Sequence, residues 1–377
     1  MEPVYLDHNA SSPIRPEAAE AVARALAIGA NPSSVHARGR TARSLIETAR
    51  GTVARFVGGD PQALVFTSGG AEANALAIES AIAAGFAPLI IGAVEHETVI
   101  ETAHASGAEV LPLPVDKSGR ADIAWLRDTV ARLDARRPFV ALMLANNENG
   151  VIQPIAEAAQ IVRAANGWLH VDAVQAAGKI AIDMNMLGAD SMTLSAHKLG
   201  GPQGVGALVW GPRATLTRRL HGGGQERGRR AGTENLAGIA GFAASVDASV
   251  HKPPVSVDMT RARDAAAARV QAAGATVIGE GAPRLDNTLC MAVADWPSEL
   301  QVIALDLDGV MVSAGAACSS GKVKASRILE AMGHRDLAPG ALRASSGWNS
   351  QPADWERFAD VWTSAYARFT ARKASAA

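Results

Sequence analysis

Short apolar runs alternate with stretches of helical periodicity along the first two thirds of the chain. Six apolar runs predict buried β-strands at residues 64–67, 89–93, 139–144, 168–172, 191–195 and 205–210. Between the strands lie segments such as residues 39–57, whose apolar side chains at Leu45, Ile46, Ala49, Val53, Phe56 and Val57 share one face of a helix. Strands that alternate with helices indicate an α/β domain with a parallel sheet and crossover helices.

This pattern breaks at His251-Lys252-Pro253-Pro254, because two prolines end a long alanine-rich helical stretch. Beyond the break, the sequence predicts a helix at residues 261–273 and strands at residues 276–278 and 288–292. We therefore expect a large domain over residues 13–250. Residues 1–12 and 251–377 are expected to form a smaller α/β domain. A chain of 377 residues is too long for one ordinary core, which favours two domains.

Composition narrows the class of protein. The formal net charge is -1, so no overall field would attract nucleic acid or an anionic membrane. Only two cysteines occur, which favours a reducing compartment. The N-terminus lacks the basic and apolar regions of a signal peptide, and no apolar run reaches the roughly 18 residues needed to span a bilayer. We expect a cytoplasmic protein that binds neither nucleic acid nor membranes.

Polar residues that suit a pyridoxal-phosphate (PLP) site follow the predicted strands. Lys198 comes after strand 191–195 and precedes a Gly-Gly-Pro turn, where a buried amine can form an imine; an exposed surface lysine is the alternative. Asp172 ends strand 168–172, where it can face a pyridine nitrogen or simply cap the next helix. Gln175, about one helical turn later, can donate a hydrogen bond to the phenolic oxygen of the cofactor.

Residues 67–72 lead from a strand into a helix through Gly69 and Gly70, and free backbone N–H groups at a helix start attract anions. The alternative for residues 67–72 is an ordinary strand-to-helix turn. Ser195 and His197 are further candidates for binding the phosphate. His96 follows strand 89–93 and can stack on the cofactor ring and transfer protons, whereas a lone histidine is often structural. Together these groups predict a PLP enzyme.

Several longer motifs strengthen this prediction. They are YLDHNA at 5–10, NPSSVH at 31–36, NNENG at 146–150, HVDA at 170–173, SAHK at 195–198, and HGGGQERG with RAGTEN at 221–235. With these motifs the chain resembles the cysteine desulfurases of the nitrogen-fixation and iron–sulfur-assembly type. Those enzymes belong to the class V aminotransferase group of fold type I PLP enzymes. The resemblance extends to the segment around Arg343 and implies a large domain with a mostly parallel seven-stranded sheet.

The resemblance implies a role for each matching position in cofactor binding. Lys198 would form the Schiff base, Asp172 would pair with the pyridine nitrogen, and Gln175 would pair with the phenolic oxygen. His96 would stack on the ring. The phosphate would be held by Gly70, Ala71, Ser195 and His197. The family often has threonine where this chain has Ala71, so the phosphate must rely on backbone N–H groups and other side chains.

Two further roles concern the substrate and a second subunit. Asn147 and Arg343 would bind the substrate carboxylate, a task that suits a planar guanidinium with two parallel donors. The family usually continues differently after this arginine; here it is followed by Ala344-Ser345-Ser346. Thr233 would reach the phosphate of the neighbouring subunit, which implies a homodimer with shared sites.

Cys318 lies among small, turn-forming residues, which predicts an accessible loop, and Lys322 and Lys324 favour a thiolate there. A buried apolar role is the alternative, and it is the role that we predict for Cys290 in strand 288–292. The resemblance implies that Cys318 takes sulfur from L-cysteine as a persulfide, leaves L-alanine, and passes the sulfur to an iron–sulfur scaffold or another acceptor. Cys318 would also serve as a transient iron–sulfur ligand shared with a scaffold.

Three other functions compete with this one. A selenocysteine lyase or an aminotransferase would use the same cofactor site, although an aminotransferase has no use for a cysteine on a loop. A partner-binding scaffold without catalysis would not need Lys198, Asp172, His96 and Cys318 together.

Overall fold

The computed structural model describes residues 3–251, 256–315 and 325–376. A seven-stranded sheet forms its centre, with strands in the spatial order β2 (Leu64–Thr67), β8 (Gly206–Trp210), β7 (Ser191–Ser195), β6 (Trp168–Asp172), β5 (Phe139–Ala141), β3 (Leu89–Gly92) and β4 (Val110–Leu113). β8 is antiparallel to β2 and β7, and the remaining neighbours are parallel. The predicted α/β class with a mostly parallel seven-stranded sheet is confirmed.

The central strands are buried on both faces, which explains why they appear in the sequence as continuous apolar runs. β5 is shorter than the predicted strand 139–144 because its regular pairing with β6 ends at Ala141. The backbone N–H groups of Leu142 and Leu144 nevertheless donate to the carbonyls of His170 and Asp172. β4 was not predicted. It contains Pro112, which an edge strand tolerates because one side of its backbone needs no ladder partner.

Helices cover both faces of this sheet. In the first part of the chain they are α1 (Pro16–Ile28), α2 (Ala37–Phe56), α3 (Gly70–Ala83), α4 (Glu97–Ala105), α5 (Ile123–Ala131), α6 (Ile155–Ala164), α7 (Met184–Leu187) and α8 (Leu236–His251). α2 buries Ala42, Ile46, Ala49 and Val53, a helical stripe that largely matches the predicted one. In the described parts of the chain, each helix is too short or too polar to cross a membrane.

A smaller antiparallel sheet follows, in the order β12 (Ser313–Ala314), β13 (Ala341–Ser345), β10 (Thr288–Ala292) and β9 (Thr276–Val277). Four helices accompany it: α9 (Val257–Ala272), α10 (Ser298–Leu307), α11 (Arg327–Ala331) and α12 (Pro352–Ala376). Trp355, Phe358 and Trp362 of α12 are fully buried in a core of their own with residues of this sheet. The division of the chain at residues 12 and 250 stays a prediction.

The N-terminal segment connects the two sheets. β1 (Val4–Tyr5) pairs in parallel with β11 (Val310–Met311), and Asp7 forms a bridge to Ser345 at the end of β13. The chain then crosses to the large sheet, where the N–H of Ser12 donates to the carbonyl of His197. The N-terminal segment therefore lies against the carboxyl ends of the parallel strands, where ligands bind in open α/β sheets.

Candidate active site

A cavity of about 520 Å³ opens at the carboxyl ends of the parallel strands. Ten residues that were predicted for the site line it, namely Gly70, Ala71, His96, Asn147, Asp172, Gln175, Ser195, His197, Lys198 and Arg343. The structure thus brings together residues from both sheets. Its walls also include Asn9, Asn74 and Thr98, which the sequence did not single out.

Lys198 ends a short 3-10 turn, Ala196–Lys198, that directly follows β7. Its Nζ donates hydrogen bonds to the carbonyl oxygens of Asn9 and Ala10, over 2.6 and 2.8 Å. The amine is therefore held at the wall of the cavity by the N-terminal segment, in a position where it can react with a ligand inside.

Asp172 ends β6 and is buried. Its Oδ1 accepts from the N–H of Val174 over 2.9 Å, and its Oδ2 accepts from Nδ2 of Asn74 over 2.8 Å. Each carboxylate oxygen has two acceptor sites, so one polar contact on each leaves capacity for a cationic or N–H group in the cavity. Asn74 lies four residues after Gly70, on the same side of α3, which is the signal that could have identified it.

His96 is the N-cap of α4, and its Nδ1 accepts from the N–H of Thr98 over 3.1 Å. Burial lowers the pKa of His96, so the imidazole is neutral near pH 7. Because Nδ1 accepts a hydrogen bond, the proton of the neutral ring lies on Nε2. This arrangement leaves one ring N–H available for proton transfer.

The start of α3 forms one end of the cavity. The backbone N–H groups of Gly70 and Ala71 belong to the first turn of this helix and have no intrahelical acceptor. Ser195 and His197 line the same cavity. Burial lowers the pKa of His197 to about 4, so its ring is neutral and offers a hydrogen-bond donor rather than a positive charge. These groups form a polar cradle that fits an anion.

β8 closely approaches the turn before α3. A Cβ at Gly206 would lie 2.6 Å from the carbonyl carbon of Gly69, so a larger residue at this position would displace the anion-binding turn. Glu72 holds the same turn from the solvent side. It accepts from the N–H of Ser68 over 2.7 Å and pairs with Arg230 over 2.9 Å.

Arg343 enters the cavity from β13. Its Nη2 contacts Oδ1 of Asp7 over 2.7 Å, and its Nη1 donates to the carbonyl oxygen of Asn147 over 3.0 Å. The loop that carries Asn147 is itself rigid, because Oδ1 of Asn146 accepts from the N–H groups of Glu148 and Asn149. The guanidinium is therefore fixed in orientation before any ligand binds.

One predicted site residue lies beside this cavity, and another is outside the described residues. Thr233 lines an adjacent cavity of about 200 Å³ that shares Ser68 and Gly204 with the first cavity. Cys318, with Lys322 and Lys324, lies outside the described residues, so its loop and its role as an iron–sulfur ligand stay predictions. Among residues 3–251, 256–315 and 325–376, no cluster of three metal-binding side chains occurs.

Cys290 has the buried location that was predicted for it. It lies in the middle of β10 with its side chain fully buried. Burial raises the pKa of the Cys290 thiol, so it stays protonated and unreactive at neutral pH.

Known proteins share this architecture. A cysteine desulfurase of Cereibacter sphaeroides is 37% identical over 370 residues, covering 96% of this chain and 95% of the relative. The structure of a NifS-like protein from Rickettsia africae superposes with a TM-score of 0.87 at 30% identity, covering 97% of this chain and 99% of that chain. SspA in complex with cysteine gives a TM-score of 0.78 at 26% identity, over 92% of this chain and 100% of that chain. The family model of the class-V aminotransferases matches residues 4–358, so the chain belongs to this family.

Proposed function

We propose that this protein is a PLP-dependent cysteine desulfurase, which removes sulfur from L-cysteine, releases L-alanine and holds the sulfur as a persulfide on Cys318. The observation that carries the proposal is the single cavity in which Lys198, Asp172 and His96 meet the start of α3. Relatives named cysteine desulfurase support it, as does the cysteine complex of SspA.

The residues of the cavity fit PLP. Gly70 and Ala71 would hold the phosphate through backbone N–H groups, together with Ser195 and His197. The missing threonine hydroxyl at Ala71 is consistent with a cradle that consists mainly of backbone. Lys198 would bind the aldehyde carbon. When bound, PLP supplies an aldehyde that combines with amines and a ring that withdraws electrons from the bonds around the attached carbon.

Asp172 would keep the pyridine nitrogen protonated through its carboxylate, because an opposite charge in a buried site favours the charged form of each partner. Gln175 would donate its amide N–H to the phenolic oxygen. His96 would lie against the ring. Its Nε2–H would serve as a proton donor, because Nδ1 is engaged by Thr98.

The substrate would be oriented by its carboxylate. Arg343 is fixed by Asp7 and Asn147, so it can bind the carboxylate without first losing side-chain freedom. Lys198, whose Nζ lies at the wall of the cavity, would take the Cα proton of the substrate. The Cys318 thiolate would then attack the substrate sulfur, so that an S–S bond forms as the C–S bond of cysteine breaks. Protons move to the carbon skeleton, which leaves as alanine, and no external oxidant is required.

The same proposal includes two partners. Thr233 would complete the phosphate site of a neighbouring subunit, which makes the enzyme a homodimer. The persulfide would pass to an acceptor protein, either an iron–sulfur scaffold or another sulfur carrier. Persulfide-transfer assays with purified candidate acceptors would identify the pathway.

The two cysteines provide a matched test. With L-cysteine as substrate, wild-type enzyme should yield alanine and sulfide in the presence of a thiol reductant. Cys318→Ser should keep the visible absorbance of the cofactor but form no persulfide, whereas Cys290→Ser should retain both. Normal sulfide release by Cys318→Ser would contradict the assignment. Consumption of a 2-oxo acid would instead indicate an aminotransferase, and a strong preference for selenocysteine would indicate a lyase.

A further inference from the structure

Asn74 contacts three polar side chains from the wall of the cavity, although it is almost completely buried. Its Nδ2 lies 2.8 Å from Oδ2 of Asp172 and 3.2 Å from Oγ1 of Thr98. Its Oδ1 lies 3.0 Å from Nε2 of His170. One amide therefore joins an α3 residue to β6 and to the start of α4.

The chemistry of the partners fixes the orientation of this amide. An ionised carboxylate only accepts hydrogen bonds, so the NH₂ group of Asn74 must face Asp172. The carbonyl oxygen must then accept a proton from Nε2 of His170. The hydroxyl of Thr193 lies 3.5 Å from the same nitrogen and is too distant to compete strongly.

Fully buried residues behind Asn74 favour the His170 tautomer that carries its proton on Nε2. Burial lowers the pKa of His170 to about 3, so the ring is neutral and has one N–H. Its Nδ1 lies 2.8 Å from the hydroxyl of Ser191, which in turn accepts from the indole N–H of Trp168 over 2.8 Å. Because an indole can only donate, the Ser191 oxygen accepts from Trp168 and its own proton can point to Nδ1. With the His170 proton on Nε2, facing the Asn74 carbonyl, Nδ1 accepts that proton from Ser191. The Phe139 ring stacks on the imidazole at 6.0 Å.

Asn74 also connects to the second residue that is proposed to contact the cofactor ring. Oγ1 of Thr98 accepts from Asn74 and lies 3.0 Å from Nδ1 of His96. Since Nδ1 also accepts from the backbone N–H of Thr98, the hydroxyl proton points to His96. The Thr98 hydroxyl therefore transmits the position of the Asn74 amide to the imidazole.

We infer that Asn74 is a positioning residue that aligns the Asp172 carboxylate and, through Thr98, the His96 ring. Its own orientation is locked by the buried series Trp168, Ser191 and His170. This inference rests on the proposed function, in which Asp172 and His96 contact the cofactor. Asn74 acts in it by holding these two groups in a fixed orientation, because a misplaced carboxylate would keep the pyridine nitrogen protonated less effectively.

Asn74→Ala in the holoenzyme tests the inference, with Asn185→Ala as a control that removes an amide whose Nδ2 binds a backbone carbonyl outside the cavity. We expect Asn74→Ala to lower kcat by about tenfold to a hundredfold, the range for losing a hydrogen bond to a charged group, with a smaller change in KM. The visible absorption band of the cofactor should shift, together with the pH midpoint of that band. A purely structural role would lower the melting temperature and leave the band and its midpoint unchanged.

Milder variants separate the contact of Asn74 with Asp172 from its contact with His96 through Thr98. They also keep the test valid if Asn74→Ala folds poorly. Thr98→Val removes the arm to His96, so kcat should fall while the pH midpoint of the band stays near wild type. His170→Gln keeps an N–H that can reach Asn74 and should retain most activity, whereas His170→Met should resemble Asn74→Ala. Equal behaviour of these two His170 variants would overturn the proposed lock.

A spectroscopic measurement is independent of activity. Nitrogen NMR of histidine-labelled holoenzyme should show one neutral Nε2–H ring at pH 6 that is missing from His170→Gln. Asn74→Ala should convert that ring to a mixture of tautomers, because Nε2–H loses its acceptor while the Ser191 hydroxyl can either donate to Nδ1 or accept from it. A His170 ring that is charged at pH 6, or protonated on Nδ1, overturns the inference.

If wild-type protein forms no coloured complex with PLP, the proposed function fails. If wild-type protein does form a coloured complex, the inference alone fails when Asn74→Ala matches wild type in kcat, in the visible absorption band and in the pH midpoint of that band.

Discussion

Lys179 donates a hydrogen bond from Nζ to Oε1 of Gln175 over 2.8 Å, one helical turn away. The same Nζ donates to Oδ1 of Asn9 over 2.7 Å. With Oε1 occupied, the NH₂ of Gln175 faces the carbonyl of Asn9 at 2.8 Å and the cavity that both residues line. Burial, followed by repulsion from Lys198 and Arg343, lowers the pKa of Lys179 well below its ordinary value.

Lys179→Met should therefore raise the pH midpoint of the cofactor's visible band by about one unit, the equivalent of about 1.4 kcal/mol. The Gln175 amide would lose the contact that directs its N–H to the phenolic oxygen. The negative charge on that oxygen would therefore be less well stabilised. Absorbance titration measures the midpoint. Lys373→Met, which removes an exposed pair with Asp295, is the control, and an unchanged midpoint in Lys179→Met would disprove this role.

Arg343→Lys should raise KM for L-cysteine by about tenfold or more, because an ammonium cannot replace a guanidinium that binds Asp7, Asn147 and a carboxylate together. The visible band of the bound cofactor should be retained. Arg284→Lys is a suitable control, since Arg284 is partly buried and donates to the carbonyl of Ile278 outside the cavity. Steady-state kinetics decide the result; equal KM values for the two variants would exclude Arg343 from carboxylate binding.

A buried ion pair should dominate the stability of the segment that follows β8. Both side chains of Arg50 and Glu226 are 2% exposed, and two hydrogen bonds of 2.7 and 3.0 Å join them. Glu226 also accepts from the N–H of Phe66 over 2.9 Å. Glu226→Gln should lower the free energy of unfolding by about 3 kcal/mol, because it leaves a buried charge without its partner.

Urea denaturation provides the measurement for this pair. Glu20→Gln is the control, because Glu20 pairs with Arg24 at a site where both side chains are about 70% exposed, and its loss should cost less than about 1 kcal/mol. Similar losses in the two variants would show that the buried pair contributes no more than a surface pair.

The cofactor-free protein should lose stability as the pH falls from about 6.5 toward 4. Burial lowers the pKa values of His8 and His170 to about 3 and of His197 to about 4. The unfolded chain then binds more protons than the native state below its histidine pKa of about 6.5, so these three groups reduce stability as the pH falls toward 4.

Buried carboxyl groups act in the opposite direction. Burial raises the pKa of Glu95 to about 8 and that of Glu148 to about 7. Between about pH 4.5 and 8, the native state binds more protons at Glu95 and Glu148 than the unfolded chain does. The stabilising contribution of these two groups is therefore lost as the pH rises through this range. The lowered pKa values of His96 and Lys179 act in the same direction as those of the three histidines. Below about pH 6 these groups outweigh the two carboxyl groups, so the free energy of unfolding should fall by about 1.4 kcal/mol or more per pH unit. Urea midpoints measured from pH 5 to 8 test this, and a flat profile would contradict it.

The sequence alone indicated the α/β class, most central strands and the chemical identity of the site. Lys198 and His96 each follow a buried strand, and Asp172 ends one. The carboxyl ends of parallel strands meet at one edge of a sheet, which brings these residues together. The sequence pattern was weaker at the edge of the sheet. β4 escaped prediction because an edge strand with a proline has neither a continuous apolar run nor strict alternation.

The tertiary structure decided how these groups are oriented. Asn74 and His170 are 96 residues apart, and Asp7 and Arg343 are 336 residues apart, so no local pattern could pair them. Lys198 was recognisable from its position after a strand, but its contact with the carbonyls of Asn9 and Ala10 depends on the path of the N-terminal segment. Residue types determine which chemistry is available, because the reactive and hydrogen-bonding atoms belong to the side chains. Hydrogen-bond direction depends on buried partners, which only the packing of distant segments brings together.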